Sequence, residues 1–488
     1  MRLIIPAVLL ASVSAEAIEA IQIRTATLSP VCIQIAKGIK GKVYYNPGHS
    51  KTTTENPFTL AISHWMTSST QTPLCVVEPD SAQDISVAIK IIGSTKTPFA
   101  VKSAGYGTNP GFSSTTGVHI SLEKFKMVNV SQDKQTAEVG LGNTFTAVYQ
   151  ALNGTGVNVV GARADGPGAG GVTLSGGYSW YTNQYGLGCD TVVSYEVVLT
   201  DGRIVTASKT SEPDLFFALK GGVNRFGIVT KIVFKTVPQP GKIYGGIQFF
   251  SQEAVPALLK ATQDFHLNSK DPKASVILTL GGGTLAGAIL LSFYDGPNRP
   301  ADFNVYNGIN DTLSTVATQD YSAMIAASPT SLAAGNRGVF ASLSTTTLTI
   351  KFMEAVVNET VYWSKFSEDH SGTLMQYDVE PFHPYGKYAT DSAYPHANSP
   401  LPLNIYFAWT DTKDDAFWNA SIQKSLAQLR TVAKAEGILT EESVYPGYAY
   451  GTITWDSLYG KANAQRLRTI RQKYDPQGVM LLAGGFKS

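Results

Sequence analysis

Pro98-Phe99-Ala100-Val101-Lys102-Ser103-Ala104-Gly105-Tyr106-Gly107 and, further along, Gly166-Pro167-Gly168-Ala169-Gly170-Gly171 with Ser175-Gly176-Gly177 set glycines beside apolar, strand-like runs. Lacking a Cβ, glycine lets backbone N–H groups approach an anion, so both loops can cradle phosphates. Tight turns in a β-rich region are the plainer alternative. The second loop formally matches G-x-G-x-x-G. The Rossmann reading is rejected, because Pro167 lies inside the tract and two more glycines, rather than a helix, are expected after it. P-loop, HExxH, CxxC and GxSxG patterns are absent from the sequence. The seven histidines show no metal-ligand spacing, so no metal is expected.

Outward from the first loop, Leu74-Cys75-Val76-Val77 reads as a strand. Ser81 to Ile92 reads as a helix N-capped by Ser81, and Phe99 to Lys102 as the next strand, a βαβ beginning. A short helix is expected over Val31 to Lys37, and another over Thr144 to Leu152. Strands are expected at Val118 to Ile120, Thr136 to Val139 and Val157 to Val160. Asp201-Gly202 between the strands Val192 to Thr200 and Ile204 to Ala207 predicts a hairpin, and Pro213 to Lys220 a helix. Pro238-Gln239-Pro240-Gly241 marks a boundary. Beyond it, strands at Ser275 to Leu280, Ala288 to Tyr294 and Ile405 to Trp409 alternate with helices at Val255 to Phe265 and Ala416 to Ala435. A last helix is expected over Ala462 to Tyr474, stopped by Asp475-Pro476.

A chain of 488 residues is too long for one core and predicts two domains or three. The hydrophobic fraction of 43% with 15% charged residues excludes a disordered chain. A net charge of +1 offers no basic field to nucleic acid or an anionic membrane. The N-terminus reads as a signal peptide, with Arg2, the apolar run Leu3 to Ala11 and the small-x-small site Val13-Ser14-Ala15; a buried first helix is the alternative. Secretion fits five Asn-x-Ser/Thr sequons, at Asn129, Asn153, Asn310, Asn358 and Asn419. It also fits three cysteines, of which Cys32 and Cys75 are the expected pair because Cys189 sits in a segment that reads as buried.

The order of these motifs resembles the FAD-linked oxidase family that includes the berberine bridge enzymes. Pro98 to Gly107 with Pro110-Gly111-Phe112-Ser113-Ser114 is similar to the family's first flavin loop, and Gly168 to Gly177 to its second. Tyr185 to Asp190, Glu196 to Arg203, Asp214 to Gly222 and Phe226 to Thr230 resemble its central signature; Tyr459-Gly460, Asn463, Arg466-Leu467 and Tyr474-Asp475-Pro476 resemble its closing segment. The resemblance spans residues 70 to 235 and 440 to 486. It implies an α+β, two-domain fold of the PCMH/vanillyl-alcohol-oxidase type. The leader would be residues 1–17 and the FAD-binding domain 18–238, with its core at 69–240. Residues 239–439 would form a substrate domain with an antiparallel sheet, and 440–488 would return to the FAD-binding domain. Lys102, Ser103, Ala104, Gly105, Tyr106, Gly107, Gly168, Gly170, Gly171, Gly176, Gly177, Ile228 and Val229 would then contact FAD.

The resemblance also exposes departures. Tyr106 stands where the family's histidine bonds the flavin 8α-methyl, and Ala164 where bicovalent members have a cysteine bonded to C6. Lys102 replaces an arginine, and Tyr445-Pro446-Gly447 replaces a Tyr-x-Asn pattern. The implied FAD is therefore non-covalent. The implied reaction moves a hydride from a small organic substrate to flavin N5 while a base takes a proton, with molecular oxygen as acceptor. Tyr406, Tyr445 and Tyr448 are the candidate bases. Such a protein would be a secreted monomer with no nucleic-acid or membrane partner, serving natural-product biosynthesis. A secreted carbohydrate oxidase is one alternative; a flavin-scaffold cyclase or binder without net redox is the other.

Overall fold

Residues 42–45, 75–78, 118–121 and 99–102 form a four-stranded sheet in that order, parallel except at its first pair. The computed structural model describes residues 29–46, 56–239, 241–283, 286–441 and 443–488, so the expected leader lies outside the described residues. The helix Ala82–Thr95 links Cys75–Glu78 to Phe99–Lys102, and Ser81 Oγ accepts the Asp84 N–H as its N-cap. Helix Pro30–Gly38 is tied to this sheet by the Cys32–Cys75 disulfide, and Cys189 is free and buried. Closing the 43-residue separation contributes roughly 4 kcal/mol by loop entropy. Urea unfolding of Cys32→Ser is therefore expected to show a loss of about that size, and reductant should bring the wild type down to the variant.

A second, five-stranded antiparallel sheet runs in the order 128–130, 136–140, 228–235, 192–198, 204–208. Val198 pairs with Ile204 across the Asp201-Gly202 turn, where Gly202 has φ +87°. The tail closes onto this half of the molecule. Arg225 Nη1 donates to the carbonyls of Met480 and Ala483, Asn224 Nδ2 donates to Gly484, and Ala483 bridges to Phe99.

The middle of the chain makes one nine-stranded antiparallel sheet. Its long strands are Ile243–Phe250, Gly287–Tyr294, Ala274–Gly283, Gly372–Val379, Leu401–Trp409 and Arg337–Thr345, neighbours in that order. Strand residues alternate faces. Leu278, Met375, Tyr377, Ile405 and Phe407 point into a core shared with helices Val255–Asn268, Ile350–Ser364 and Asp415–Ala435. The other face looks back at the glycine loops and carries a different set: Thr279, Gln376, Asp378, Asn404, Tyr406 and Phe340.

Three expectations need correction. The helix Ala169–Leu174 does start inside the second glycine tract, although its six residues make no Rossmann crossover. The strand expected at Val157 to Val160 reduces to Val157–Asn158. The last helix begins at Trp455, with Gly460 at φ +71° breaking it before the predicted start. Asn129, Asn153, Asn310 and Asn358 are exposed, whereas Asn419 is half-buried and spends its Nδ2 on the Asp415 carbonyl.

Candidate functional site

The two glycine loops lie side by side at the floor of a cavity of about 390 Å³, and the open face of the large sheet forms its roof. A Cβ on Gly168 would come 2.7 Å from Ser103 Oγ and 3.0 Å from the Ala104 nitrogen, so only glycine allows this approach. Gly107 and Gly171, by contrast, border open space. The polypeptide clamps the floor to the roof. Thr108 Oγ1 accepts the Phe340 N–H, and Asn109 Nδ2 donates to the Ala449 carbonyl.

Ser103, Ala104, Gly105, Tyr106 and Gly107 line the cavity, as do Gly168, Gly170, Gly171, Ile228 and Val229. Lys102, Gly176 and Gly177 do not. Strand alternation turns Lys102 to the far face, where it is buried; burial lowers its pKa and, with Lys102 and His64 nearby, lowers that of His119 to about 3. Gly176 and Gly177 have φ values of +117° and +88°, and their carbonyls accept N–H groups from Cys189 and Gly188, which shapes the turn behind the cavity.

The floor fits a dinucleotide. Two close-packed loops present backbone at an open edge. In addition, Asn224, which lines the cavity, keeps a buried Oδ1 with no partner while its Nδ2 binds Phe112 and Gly484 carbonyls. That acceptor is suited to a ribose hydroxyl or an adenine amine.

Tyr106 stacks on Trp65 with ring centroids 4.2 Å apart and planes within 9°. Trp65 Nε1 donates to the Thr330 carbonyl at 3.0 Å, fixing the indole at the cavity wall. Burial pushes the Tyr106 phenol up.

The roof carries the ionisable groups. Asp378 Oδ1 accepts from Thr279 Oγ1 at 2.6 Å, and Oδ2 accepts from Asn404 Nδ2 at 3.1 Å. Burial raises the Asp378 pKa, while these two hydrogen bonds and the charge of Arg163 oppose the rise without cancelling it. Two residues on, Glu380 lies 2.8 Å from Arg163 Nη1, a contact close enough for an ion pair though not aligned as a hydrogen bond. Arg163 Nη2 donates to Tyr448 Oη at 2.7 Å, and that hydroxyl donates to Glu380 Oε1 at 3.3 Å. The guanidinium sits 5.3 Å from the Phe382 ring centroid. Burial raises the Glu380 pKa as well, with Arg163 as the main opposing influence.

Tyr406, Tyr445 and Tyr448 all line the cavity, so the structure brings the three candidate bases together. Burial pushes each phenol up, which makes a tyrosinate costly. The carboxylates, Arg163, Asn404 and Trp65 escaped the sequence reading. A signal existed: in Met375-Gln376-Tyr377-Asp378-Val379-Glu380 polar residues alternate with apolar ones, the pattern of a strand with one face open to a cavity.

Residues 73–208 match the model of a family described as an FAD binding domain. An uncharacterized FAD-linked oxidoreductase from Arthroderma benhamiae is 38% identical over 279 residues, which is 56% of this chain and 56% of that protein. The chain thus matches only about half the length of this relative. Among solved structures, the wild-type berberine-bridge-like enzyme 1 of Physcomitrella patens superposes with a TM-score of 0.77 at 19% identity, covering 92% of this chain and 97% of the other. A xylooligosaccharide oxidase from Myceliophthora thermophila, solved with xylobiose, gives 0.75 at 20% identity, covering 93% and 98%.

Proposed function

We propose that this chain, which carries an FAD-binding domain on the fold of the berberine-bridge-like flavin oxidases, is an FAD-dependent oxidoreductase that oxidises a small organic substrate with molecular oxygen as acceptor. The observation that carries this reading is the half-buried Asp378 carboxylate, which lines the same cavity as the glycine loops and is held there by Thr279 and Asn404. FAD, when bound, supplies the two-electron acceptor for a hydride leaving the substrate carbon. Asp378 takes the proton of the substrate hydroxyl or N–H, so that a C=O or C=N bond forms. Molecular oxygen ends with the two electrons and two protons as hydrogen peroxide. Thr279 and Asn404 hold both carboxylate oxygens in place, and the raised pKa gives the carboxylate greater proton affinity than an exposed aspartate.

The flavin is non-covalent in this reading, because Tyr106 and Ala164 put neither imidazole nor thiol at the two tethering positions. Acid precipitation of the purified protein is expected to leave a colourless pellet and a yellow supernatant. A yellow pellet would overturn this assignment. Release of peroxide over a panel of alcohols and amines tests the oxidase half. A colourless protein that takes up no FAD would favour the cyclase or binder.

A second substrate reading, a secreted carbohydrate oxidase, is favoured by one feature. A further hollow of about 260 Å³ adjoins the main cavity and shares Thr279, Ile289 and Gln376 with it, leaving room for a longer substrate. Passage through the secretory pathway accords with the four exposed sequon asparagines. Loss of mass on treatment with an N-glycosidase would test it, and an unchanged mass would count against it. The expected role in natural-product biosynthesis is kept with the small-molecule reading.

A further inference from the structure

We infer that the roof selects a planar aromatic molecule bearing two adjacent hydrogen-bond donors, the reacting hydroxyl and one neighbour, in preference to a sugar. This rests on the oxidoreductase reading above and concerns the substrate half of the same cavity.

Across the roof the strands follow one another in a known order, and their cavity-facing residues change character along it. Ile289 and Leu291 stand on one strand and Ile277 on the next, which makes an aliphatic flank. Thr279, Asp378 and Asn404 form a polar stripe in the middle, with Thr279 opposite Asp378 and Asp378 opposite Asn404, and Gln376 stands next to it, opposite Tyr406. Beyond the stripe come Tyr406 and Phe340, themselves cross-strand partners with ring centroids 5.7 Å apart. Trp65 completes this flank, 5.8 Å from Phe340 and 6.5 Å from Tyr406. A sugar presents a hydroxyl on nearly every carbon; Glu380, Arg163 and Tyr448 also line the cavity but are engaged with one another, so most of those hydroxyls would meet aliphatic or aromatic wall. A flat ring lying against Trp65, Phe340 and Tyr406 leaves no polar group stranded.

The polar stripe also specifies how many donors the ligand brings. Asn404 is 5% exposed, its Nδ2 is committed to Asp378, and its Oδ1 has no partner although the residue lines the cavity. The facing carboxylate accepts only, so the amide orientation is determined by it. A buried carbonyl oxygen left open in a cavity wall calls for a donor from the occupant. Asp378 receives the reacting hydroxyl, and Asn404 Oδ1 receives the second donor on the neighbouring atom.

Three probes separate the possibilities on FAD-loaded protein: 2-hydroxybenzyl alcohol, benzyl alcohol and cellobiose, each followed by perturbation of the flavin absorption spectrum. The first is expected to bind about tenfold more tightly than the second, the increment of one buried hydrogen bond, and cellobiose more weakly than both. Asn404→Leu should abolish the preference for the 2-hydroxy compound, and Trp65→Ala should weaken both aromatic ligands by about tenfold. Cellobiose binding as tightly as the aromatic alcohols, no response to any probe, or a preference that survives Asn404→Leu would overturn the inference. The same titrations by calorimetry on flavin-free protein keep the outcome separate from the parent reading. Failure to load FAD sinks that reading alone, whereas lost selectivity sinks this one alone.

Discussion

Asp378→Asn is expected to lower kcat by about 10²–10⁴-fold, the range for loss of a general base, with FAD still bound. The replacement amide has the same shape. Its oxygen can accept from Asn404 and its nitrogen can donate to Thr279, so the roof should keep its geometry. A large fall in kcat with little change in Tm is therefore the outcome to look for in steady-state kinetics and thermal unfolding. Activity needs the ionised carboxylate, and burial raises its pKa. The acidic limb of kcat/KM should accordingly lie above the ordinary aspartate value of about 3.9, with activity rising with pH through it. Asp378→Asn should lose that limb along with the rate. If Tyr448 or Tyr445 were the base instead, the variant would keep most of its activity, and the profile would be governed by a phenol pushed above its usual range.

Arg163→Met should cost about 3–5 kcal/mol of stability, because it leaves Glu380 buried without its cation. Arg163 is 8% exposed and Glu380 1%, so water cannot stand in for the missing guanidinium. The sign with pH follows from the shift of Glu380, whose folded-state pKa is raised by burial. A group shifted this way favours folding most below its unfolded pKa of about 4.3, and that contribution is lost as pH rises through the folded value. Arg163 lowers that pKa, so removing it raises the folded value further, and the deficit of the variant should be greatest near neutral pH and shrink as pH falls toward about 4. Urea unfolding at several pH values would measure it. Adding Glu380→Leu to Arg163→Met should restore most of the loss, since an apolar pair of similar volume needs no counter-charge. A double variant as unstable as the single one would show that the guanidinium is needed for its packing on Phe382 rather than for its charge.

Local chemistry made much of the floor legible. Hairpin residues at Asp201-Gly202, the serine cap at Ser81 and the glycine tracts act over a few residues, and the structure places each where the pattern predicts. The Cys32–Cys75 pair followed from elimination, and the structure joins the two. Lys102 was misplaced because sequence adjacency to the loop says nothing about strand face; one residue of alternation carries it to the opposite side of the sheet. The short helix Ala169–Leu174 was missed because its glycines lower local helix propensity, while the contacts of Ala169, Gly170 and Thr173 with the surrounding core hold it.

The glycine tracts and the α+β class could be read from residue types alone, because they are properties of short windows; that Tyr106 and Ala164 stand at the family's tethering positions is what the resemblance implies. The roof needed the folded chain. Asp378 and Asn404 meet because neighbouring antiparallel strands register them side by side, and docking of that face on the loops brings Arg163, Glu380 and Trp65 to the same cavity. Their roles come from burial, which raises the two carboxylates, and from partners hundreds of residues away, such as the Arg163–Tyr448 hydrogen bond. Neither burial nor partnership is a property of a residue alone, which is why the glycine loops could be read first and the chemistry above them only after folding.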